Sequence, residues 1–410
     1  MVSYNKSVKK LRGRVGGSGR GWIALTLLGP LLLSASAAWA QEVLPVGPFS
    51  GLTSLGHGRV RIGDLELHPF LSYTGEYDDN LFREPKDKQS DYINYISPGV
   101  ALRLPFGRHE LLAGYRMDVL RAFKNKGIDD ERNFLKGALK LDFGKLDISV
   151  GEDFRDTSDF PSSELTQRIK RIENSFNARV SYVLIGRFGA GLSYANHFFD
   201  FREPAFDTLD RDENVFGVSV FYRILPRASL FVGYNFARER FDIAKERDAD
   251  KQRVFLGIEG KIGPRLTLAA KGGYGVVDLK DPALKSIATS LAEVDGVYRP
   301  LDRLSMSLTL RRSVEVASFT DNFEAFAIGL GVSYAFRPWL TLSPQISYER
   351  DDFPRVERQD SIFGVGMGLR FQLFRYAFLE GNYGYQKRSS TVEGAGFTDN
   401  RFFWSLIFSM

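Results

Sequence analysis

The chain has 410 residues, of which 55 are basic and 50 acidic, so its formal net charge is +5. It contains no cysteine, which excludes a disulfide framework, a thiolate metal site and a lipid anchor attached through cysteine. Its 40 glycines, 34 phenylalanines and 17 tyrosines are typical of many closely packed strands with aromatic rings at an interface.

Residues 1–40 have the features of a secretory signal peptide. Six basic residues precede an apolar core at 21–33, and Ala38-Trp39-Ala40 forms an A-x-A cleavage site. The core is too short for a membrane-spanning helix, so we expect cleavage before Gln41. Because six basic and no acidic residues lie in this stretch, the remainder has 49 basic and 50 acidic residues, a net charge of −1. The basicity therefore belongs to the export signal and does not indicate nucleic-acid binding.

Residues 41–65 contain no convincing lipid-facing strand. We expect a periplasmic N-terminal segment there, with a disordered stretch or a loose arm favoured over a plug. A partner-binding role of this arm stays open.

From residue 66 onwards the sequence repeatedly alternates between apolar and polar or small residues, with the two-residue period of a β-strand. In 360–373, the odd positions from Phe363 to Leu373 are apolar, whereas the even positions from Gly364 to Gln372 are glycine, arginine or glutamine. The final stretch, RFFWSLIFSM, alternates in the same way and predicts a closing strand with its even positions towards lipid.

The connections between these stretches alternate in length. Short turns rich in glycine, proline and basic residues, such as 105–108 and 263–265, are separated by longer polar loops such as 79–91 and 159–171. The predicted strands lie near 66–78, 92–104, 109–121, 133–143, 146–158, 172–184, 187–200, 213–224, 228–240, 252–262, 266–279, 287–299, 304–316, 322–336, 340–352, 360–373, 377–388 and 400–410.

These 18 strands predict an all-β fold: a transmembrane antiparallel β-barrel of the outer membrane over residues 66–410, with short periplasmic turns and longer extracellular loops. The barrel must be closed because lipid cannot satisfy the hydrogen bonds of an open sheet edge. A β-propeller would need four strands in each 40-residue repeat, where this chain has two. A soluble β-sandwich would rarely sustain so many amphipathic strands.

We find no pattern that predicts catalysis, a cofactor or a metal site, so an enzyme is not expected. The four histidines, at 57, 68, 109 and 197, lack metal-ligand spacing. The glycine run at 364–368 lies inside an alternating strand and is better explained as a smooth lumen wall than as a phosphate loop. An acidic cluster at 207–213 is more typical of a solvated loop than of a cation site that bridges lipopolysaccharide.

The function of a barrel depends on its lumen, and the alternation predicts which charged residues face it. The predicted basic positions are Arg116, Lys136, Lys140, Arg179, Arg253, Lys261, Lys271, Arg311 and Arg370, and the predicted acidic positions are Asp118, Asp142, Glu259, Glu293, Asp295 and Glu380. A basic excess in a low-dielectric pore favours anionic solutes, although any water-filled lumen carries mixed charge.

Three stretches near the start of the predicted barrel carry a family resemblance. PFLSYTGEYDDNLF (69–82), ISPGVALRL (96–104) and LLAGYRMDV (111–119) resemble the start of the putative beta-barrel porin 2 family. The resemblance implies an outer-membrane conduit that exports an exopolysaccharide or capsular polysaccharide, with inward rings such as Phe231 and Phe378 stacking on sugars. It also implies a periplasmic export partner, besides lipid, lipopolysaccharide and the barrel-assembly machinery. The alginate exporter is similar in strand number.

The alternative is a general diffusion porin or an uptake channel for small solutes. Such porins usually fold one long loop into the lumen, whereas the longest loops predicted here have 11–13 residues, which favours an exporter or a plain pore. A purely structural barrel is the third alternative.

Overall fold

A computed structural model describes residues 60–165, 167–281, 286–317 and 322–409, and in it the chain forms one antiparallel sheet. The predicted signal peptide and residues 41–59 lie outside the described residues. The strands are β1 (Val60–Ile62), β2 (Leu65–Asp78), β3 (Asp91–Phe106), β4 (His109–Ala122), β5 (Asp130–Asp142), β6 (Leu146–Thr157), β7 (Arg171–Ile185), β8 (Phe188–Phe201), β9 (Arg211–Leu225), β10 (Ala228–Phe241), β11 (Ala249–Ile262), β12 (Leu266–Leu279), β13 (Ile287–Leu301), β14 (Leu304–Val316), β15 (Asn322–Arg337), β16 (Leu340–Phe353), β17 (Arg358–Phe374), β18 (Ala377–Ser390) and β19 (Phe397–Ser409).

The sheet closes on itself into a barrel of the 18 strands β2 to β19. Each strand pairs with the next, and β19 pairs with β2 from Arg401 opposite Asp78 to Ser409 opposite Phe70. The short β1 forms a hairpin on the first residues of β2. The predicted fold class and strand number are therefore confirmed.

Strict alternation sets which face each side chain occupies, because successive residues of a strand point to opposite sides of the sheet. In β19 the outward Phe402 is 49% exposed, whereas the inward Phe403 is 1% exposed. The predicted closing strand thus presents its even positions outwards. Among the described residues, no helix is both long enough and apolar enough to cross a bilayer.

The two ends of the barrel differ in their connections. At one end the strands are joined by tight turns, several of which place glycine in the left-handed region, as at Gly107 (φ 65°) and Gly186 (φ 59°). At the other end lie the longer loops, which contain 3₁₀ turns at Lys126–Ile128, Pro204–Leu209 and Lys245–Arg247. The N-terminal end of β2 and the C-terminal end of β19 both lie at the short-turn end.

The packed core of the molecule lies inside the barrel near the long-loop end. Inward side chains there are covered by loops, and Leu120, Phe241 and Phe353 are each no more than 1% exposed. Leu81, from the loop between β2 and β3, packs against Leu120 in one such cluster. The loops therefore fold over and into the mouth and do not stand away from it.

Candidate functional site

The sequence predicted 15 charged residues on the lumen face, and the strand registers place all of them on the inward side of their strands. Lys136, for example, lies opposite the inward Asp153, and Arg311 lies opposite Glu293. The role of these residues in transport stays a prediction.

Most of these charges pair with one another or with a neighbour. Nitrogen–oxygen distances are 3.0 Å for Arg116–Asp118, 3.0 Å for Lys136–Asp153, 3.3 Å for Arg179–Glu259, 2.7 Å for Lys271–Glu293 and 3.3 Å for Arg370–Glu380. Asp142 lies at a tight turn, where its carboxylate accepts the Gly144 N–H. The pairs hold both signs at the wall and reduce the field of any single charge.

Four of the predicted basic residues form no ion pair within the described part of the chain. Arg253 and Arg311 lie mid-barrel, where Arg311 has Nε and Nη1 buried without a hydrogen bond among the described residues, as has Oδ2 of Asp295 in the same stretch of wall. Lys140 and Lys261 lie nearer the short turns.

Sequence reasoning missed many further inward charges, and the acidic ones outnumber the basic ones. The acidic residues are Glu66, Glu76, Asp78, Asp91, Glu110, Asp130, Asp147, Asp153, Glu173, Glu213, Glu239, Glu315, Glu349, Asp351, Asp360 and Asp399, and the basic residues are Arg103, Arg132, Arg155, Arg171, Arg211, Arg223, Lys251, Arg358, Arg388 and Arg401. The basic excess of the predicted set therefore does not describe the lumen as a whole.

One loop crosses the mouth of the barrel. This inner loop, residues 158–170 between β6 and β7 and described except for Thr166, reaches the wall formed by β16 and β18. Ser163 Oγ donates a hydrogen bond of 2.6 Å to Asp351 Oδ2, and Arg388 Nη1 donates one of 3.2 Å to the Glu164 carbonyl. Both contacts are buried. The loop thus joins strands that lie on far sides of the barrel.

The base of the inner loop is fixed by Arg171, at the start of β7. Its guanidinium binds Asp159 Oδ1 at 2.6 Å and donates to the Asp159 carbonyl at 2.8 Å. Burial alone would raise the pKa of Asp159, but Arg171 and then Arg132 outweigh it and hold that pKa below its usual value. Arg132 also donates to Ser158 Oγ at 3.2 Å. The carboxylate is therefore charged when the loop is in place.

Arginines cover the aromatic side of the inner loop. The Arg83 guanidinium lies 3.5 Å from the centre of the Phe160 ring and 5.3 Å from that of Phe397, and Arg168 lies 5.1 Å from Phe160. Burial, and next the repulsion of Arg401, lowers the pKa of Arg83. Because Arg83 comes from the loop between β2 and β3, two loops interlock within the mouth.

The sequence prediction of 159–171 as a polar outer loop is corrected by these contacts. The loop is polar on average, but Phe160 and Ile169 are 5% and 0% exposed. Apolar residues that recur every four or five positions in this loop, Phe160, Leu165 and Ile169, are the signal that would have indicated burial. Its length of about a dozen residues is enough to cross the mouth, so the argument from loop length for an exporter is also wrong.

The acidic residues at 207–213 do not converge. Asp210 accepts the Phe201 N–H, Asp212 accepts hydrogen bonds from Asn196 and Asn214, and Glu213 binds Lys251. Among the described residues, the carboxylates of Asp78, Asp79 and Asp399 form the one cluster close enough to share an ion, but both oxygens of Asp79 bind Asn400. Gly364, Gly366 and Gly368 line the inward wall of β17.

Several solved outer-membrane proteins are similar in fold. OccK2 (OpdF) of Pseudomonas aeruginosa matches with a TM-score of 0.49 and 12% identity over 85% of this chain and 99% of its own. OpdK of the same organism matches with a TM-score of 0.48 and 14% identity over 84% and 99%. A BenF-like porin of Pseudomonas fluorescens matches with a TM-score of 0.48 and 13% identity over 85% and 100%. No curated protein sequence matches the chain.

A family model described as Putative beta-barrel porin 2 matches residues 57–409. That description names a porin, and nothing in these comparisons points to polysaccharide export. The inner loop also lies across the mouth through which an extended polymer would have to pass. The predicted polysaccharide export is therefore wrong, and the alternative of a small-solute porin is better supported. The chain belongs to the putative beta-barrel porin 2 family, as an outer-membrane β-barrel.

Proposed function

We propose that this protein is an outer-membrane channel for the diffusion of small hydrophilic solutes. The observation that carries the proposal is the inner loop, which narrows the long-loop mouth while polar side chains line the barrel below it. A narrowed, polar passage admits small molecules and excludes polymers.

The electrostatics of the wall support passage of a broad range of solutes over strong selection for one sign of charge. Paired residues such as Lys271 and Glu293, 2.7 Å apart, present both signs side by side. A solute then meets dipoles and hydrogen-bonding groups more than a net field.

We further propose that residues 1–40 direct export and that residues 41–59 remain on the periplasmic side. The outward apolar bands meet lipid and lipopolysaccharide, and the final strand engages the barrel-assembly machinery. A periplasmic partner would bind the short turns or the N-terminal segment. Cross-linking in cells, followed by identification of the cross-linked molecules, tests these contacts.

The channel is tested by conductance of the refolded chain in planar bilayers, together with swelling of liposomes in solutes of graded size. We expect ion conduction and a sharp size limit. Replacing residues 161–168 by two glycines should raise the conductance severalfold and admit larger solutes. The same conductance and size limit in both proteins would contradict the proposal that the inner loop narrows the passage.

A further inference from the structure

A recess lies in the lumen wall between β6 and β13, on the side of the barrel away from the inner-loop tether. Its volume is about 230 Å³, and it opens to the lumen. This is smaller than the roughly 300–1,000 Å³ of pockets for drug-sized ligands, so it has room for one ring and not for a polymer.

The charges of the residues that line the recess cancel, and each of these residues already has an ionic partner. Distances of 3.3 Å and 2.7 Å join Arg179 to Glu259 and Lys271 to Glu293, and a longer contact of 3.7 Å joins Arg223 to Asp147. Because three acidic and three basic residues line the recess, an ionic ligand would meet no net electrostatic attraction there. To bind one of these residues it would have to disrupt an existing pair. The recess therefore favours an uncharged ligand.

Three phenyl rings in the recess lie against glycines of neighbouring strands. A Cβ on Gly189 would be 2.1 Å from the ring of Phe221, and one on Gly233 would be 2.5 Å from that of Phe255. The third ring, Phe231, would be 2.6 Å from a Cβ on Gly257. Each ring thus takes the space of the missing side chain and is half-buried in the wall of the recess, where Phe231 and Phe255 meet edge to face with their ring centres 6.0 Å apart. The exposed part of these rings offers an apolar surface to a ligand.

Three polar side chains stand among the rings. Ser193 and Asn235 converge on Gly217, where a Cβ would be 2.3 Å from the serine Oγ and 2.6 Å from the Asn235 Oδ1. A Cβ on Gly191 would likewise be 2.7 Å from the Oγ of Ser219. Within the described part of the chain, these three side chains form no hydrogen bond. They remain available to hydroxyl groups of a ligand.

We propose that the recess is a subsite for neutral sugars, which binds one pyranose ring with its C–H face on the phenyl rings and its hydroxyls on Ser193, Ser219 and Asn235. Sugars combine an apolar ring face with hydroxyls that both donate and accept hydrogen bonds. In each charged pair at the rim, the acidic residue can accept and the basic residue can donate a hydrogen bond to such a hydroxyl. The inference deepens the proposed channel function by naming its solute class, and it rests on that function for its physiological meaning.

The test is saturation-transfer NMR on the folded protein in detergent, with D-glucose, maltose and the anion gluconate as probes. We expect transfer to the ring C–H protons of the two neutral sugars and weaker transfer to gluconate. Phe255→Ala should weaken glucose binding by about fivefold to tenfold, the effect of losing one aromatic contact. Gly217→Val should fill the recess and abolish binding. Phe134→Leu alters an inward ring outside the recess and should leave binding unchanged.

No transfer to glucose or maltose, equal transfer to gluconate, or wild-type binding by Phe255→Ala would overturn the sugar subsite. Conductance of the same preparations separates this result from the channel function. A barrel that conducts but binds no sugar refutes the subsite alone. A barrel that binds sugar but neither conducts nor admits solutes into liposomes refutes the channel and leaves the subsite standing.

Discussion

Removing the hydroxyl of Ser163 should open the mouth of the barrel more often. Its hydrogen bond of 2.6 Å to Asp351 is the shortest side-chain tie between the inner loop and the far wall, and both residues are buried, at 3% and 1% exposure. A hydrogen bond to a charged group contributes about 1.5–3 kcal/mol. At about 1.4 kcal/mol per tenfold change, Ser163→Ala should raise the population of the open loop by roughly 10-fold to 100-fold.

Other contacts keep this variant from opening completely. The Arg388 guanidinium still binds the Glu164 carbonyl at 3.2 Å, and Arg83 still lies 3.5 Å from the Phe160 ring. Each remaining contact contributes about 1 kcal/mol or more. We therefore expect longer and more frequent openings, not a permanently open pore.

The assay is single-channel recording in planar bilayers, from which the open probability is read directly. The matched control is Ser313→Ala, because Ser313 also donates a 2.6 Å hydrogen bond to an inward carboxylate, that of Glu315, on its own strand β14. The control should keep the open probability of the unmodified protein. Equal open probabilities in Ser163→Ala and Ser313→Ala would refute the reasoning that the tether closes the mouth.

Three further outcomes are expected. Leu330→Arg places a charge on the middle of the lipid face and should lower the free energy of unfolding, measured by denaturant titration in lipid, by about 2–4 kcal/mol. Thr309→Arg, on the inward face of the neighbouring strand, should lower it much less. Similar losses in the two variants would contradict the assigned faces. The bond of Asp159 to Arg171 stabilises the loop above the ordinary carboxyl pKa and is lost as pH falls through the lowered folded pKa. Asp159→Asn should therefore raise the open probability at neutral pH, and its difference from the unmodified protein should vanish only in strong acid, below about pH 4; a difference that vanishes between pH 7 and 5 would contradict this assignment. Arg388→Met leaves the Asp360 carboxylate and the Glu164 carbonyl without this guanidinium. The variant should unfold at a lower temperature, as measured by the shift from folded to unfolded mobility of heated samples on gels. An unchanged temperature would exclude a structural role of Arg388.

The barrel could be predicted from the sequence because its determinants are local. Phe402 and Phe403 are adjacent and chemically identical, yet one faces lipid and the other the interior, as the two-residue period requires. The same period placed Arg116 and Arg370 on the inner face, since the period needs no knowledge of which strand pairs with which. Strand number followed from the turns, which are marked by residues such as Gly107 and Gly186.

The mouth could not be predicted because its contacts join distant parts of the chain. Ser163 and Asp351 are 188 positions apart, and Arg179 and Glu259 are 80 apart. A polar loop beside a strand looks solvated until a closed barrel surrounds it and supplies partners. The predicted basic lumen had the same limit, because the pairing of Arg179 with Glu259 depends on the curvature of the wall.

The motif YDDNLF shows why a family resemblance identified the fold but not the solute. Asp79 donates its N–H to the Asn400 carbonyl at 3.1 Å and accepts two hydrogen bonds of 2.7 Å from Asn400, which joins the first loop to the last strand. Asn80 bonds Glu84 within its loop and the Thr398 carbonyl across the seam. Leu81 is fully buried. The motif therefore secures the seam of the closed barrel. Passage depends on the inner loop and the lumen wall, whose residues lie outside the motif, so a match to it indicates how the chain closes and not what crosses it.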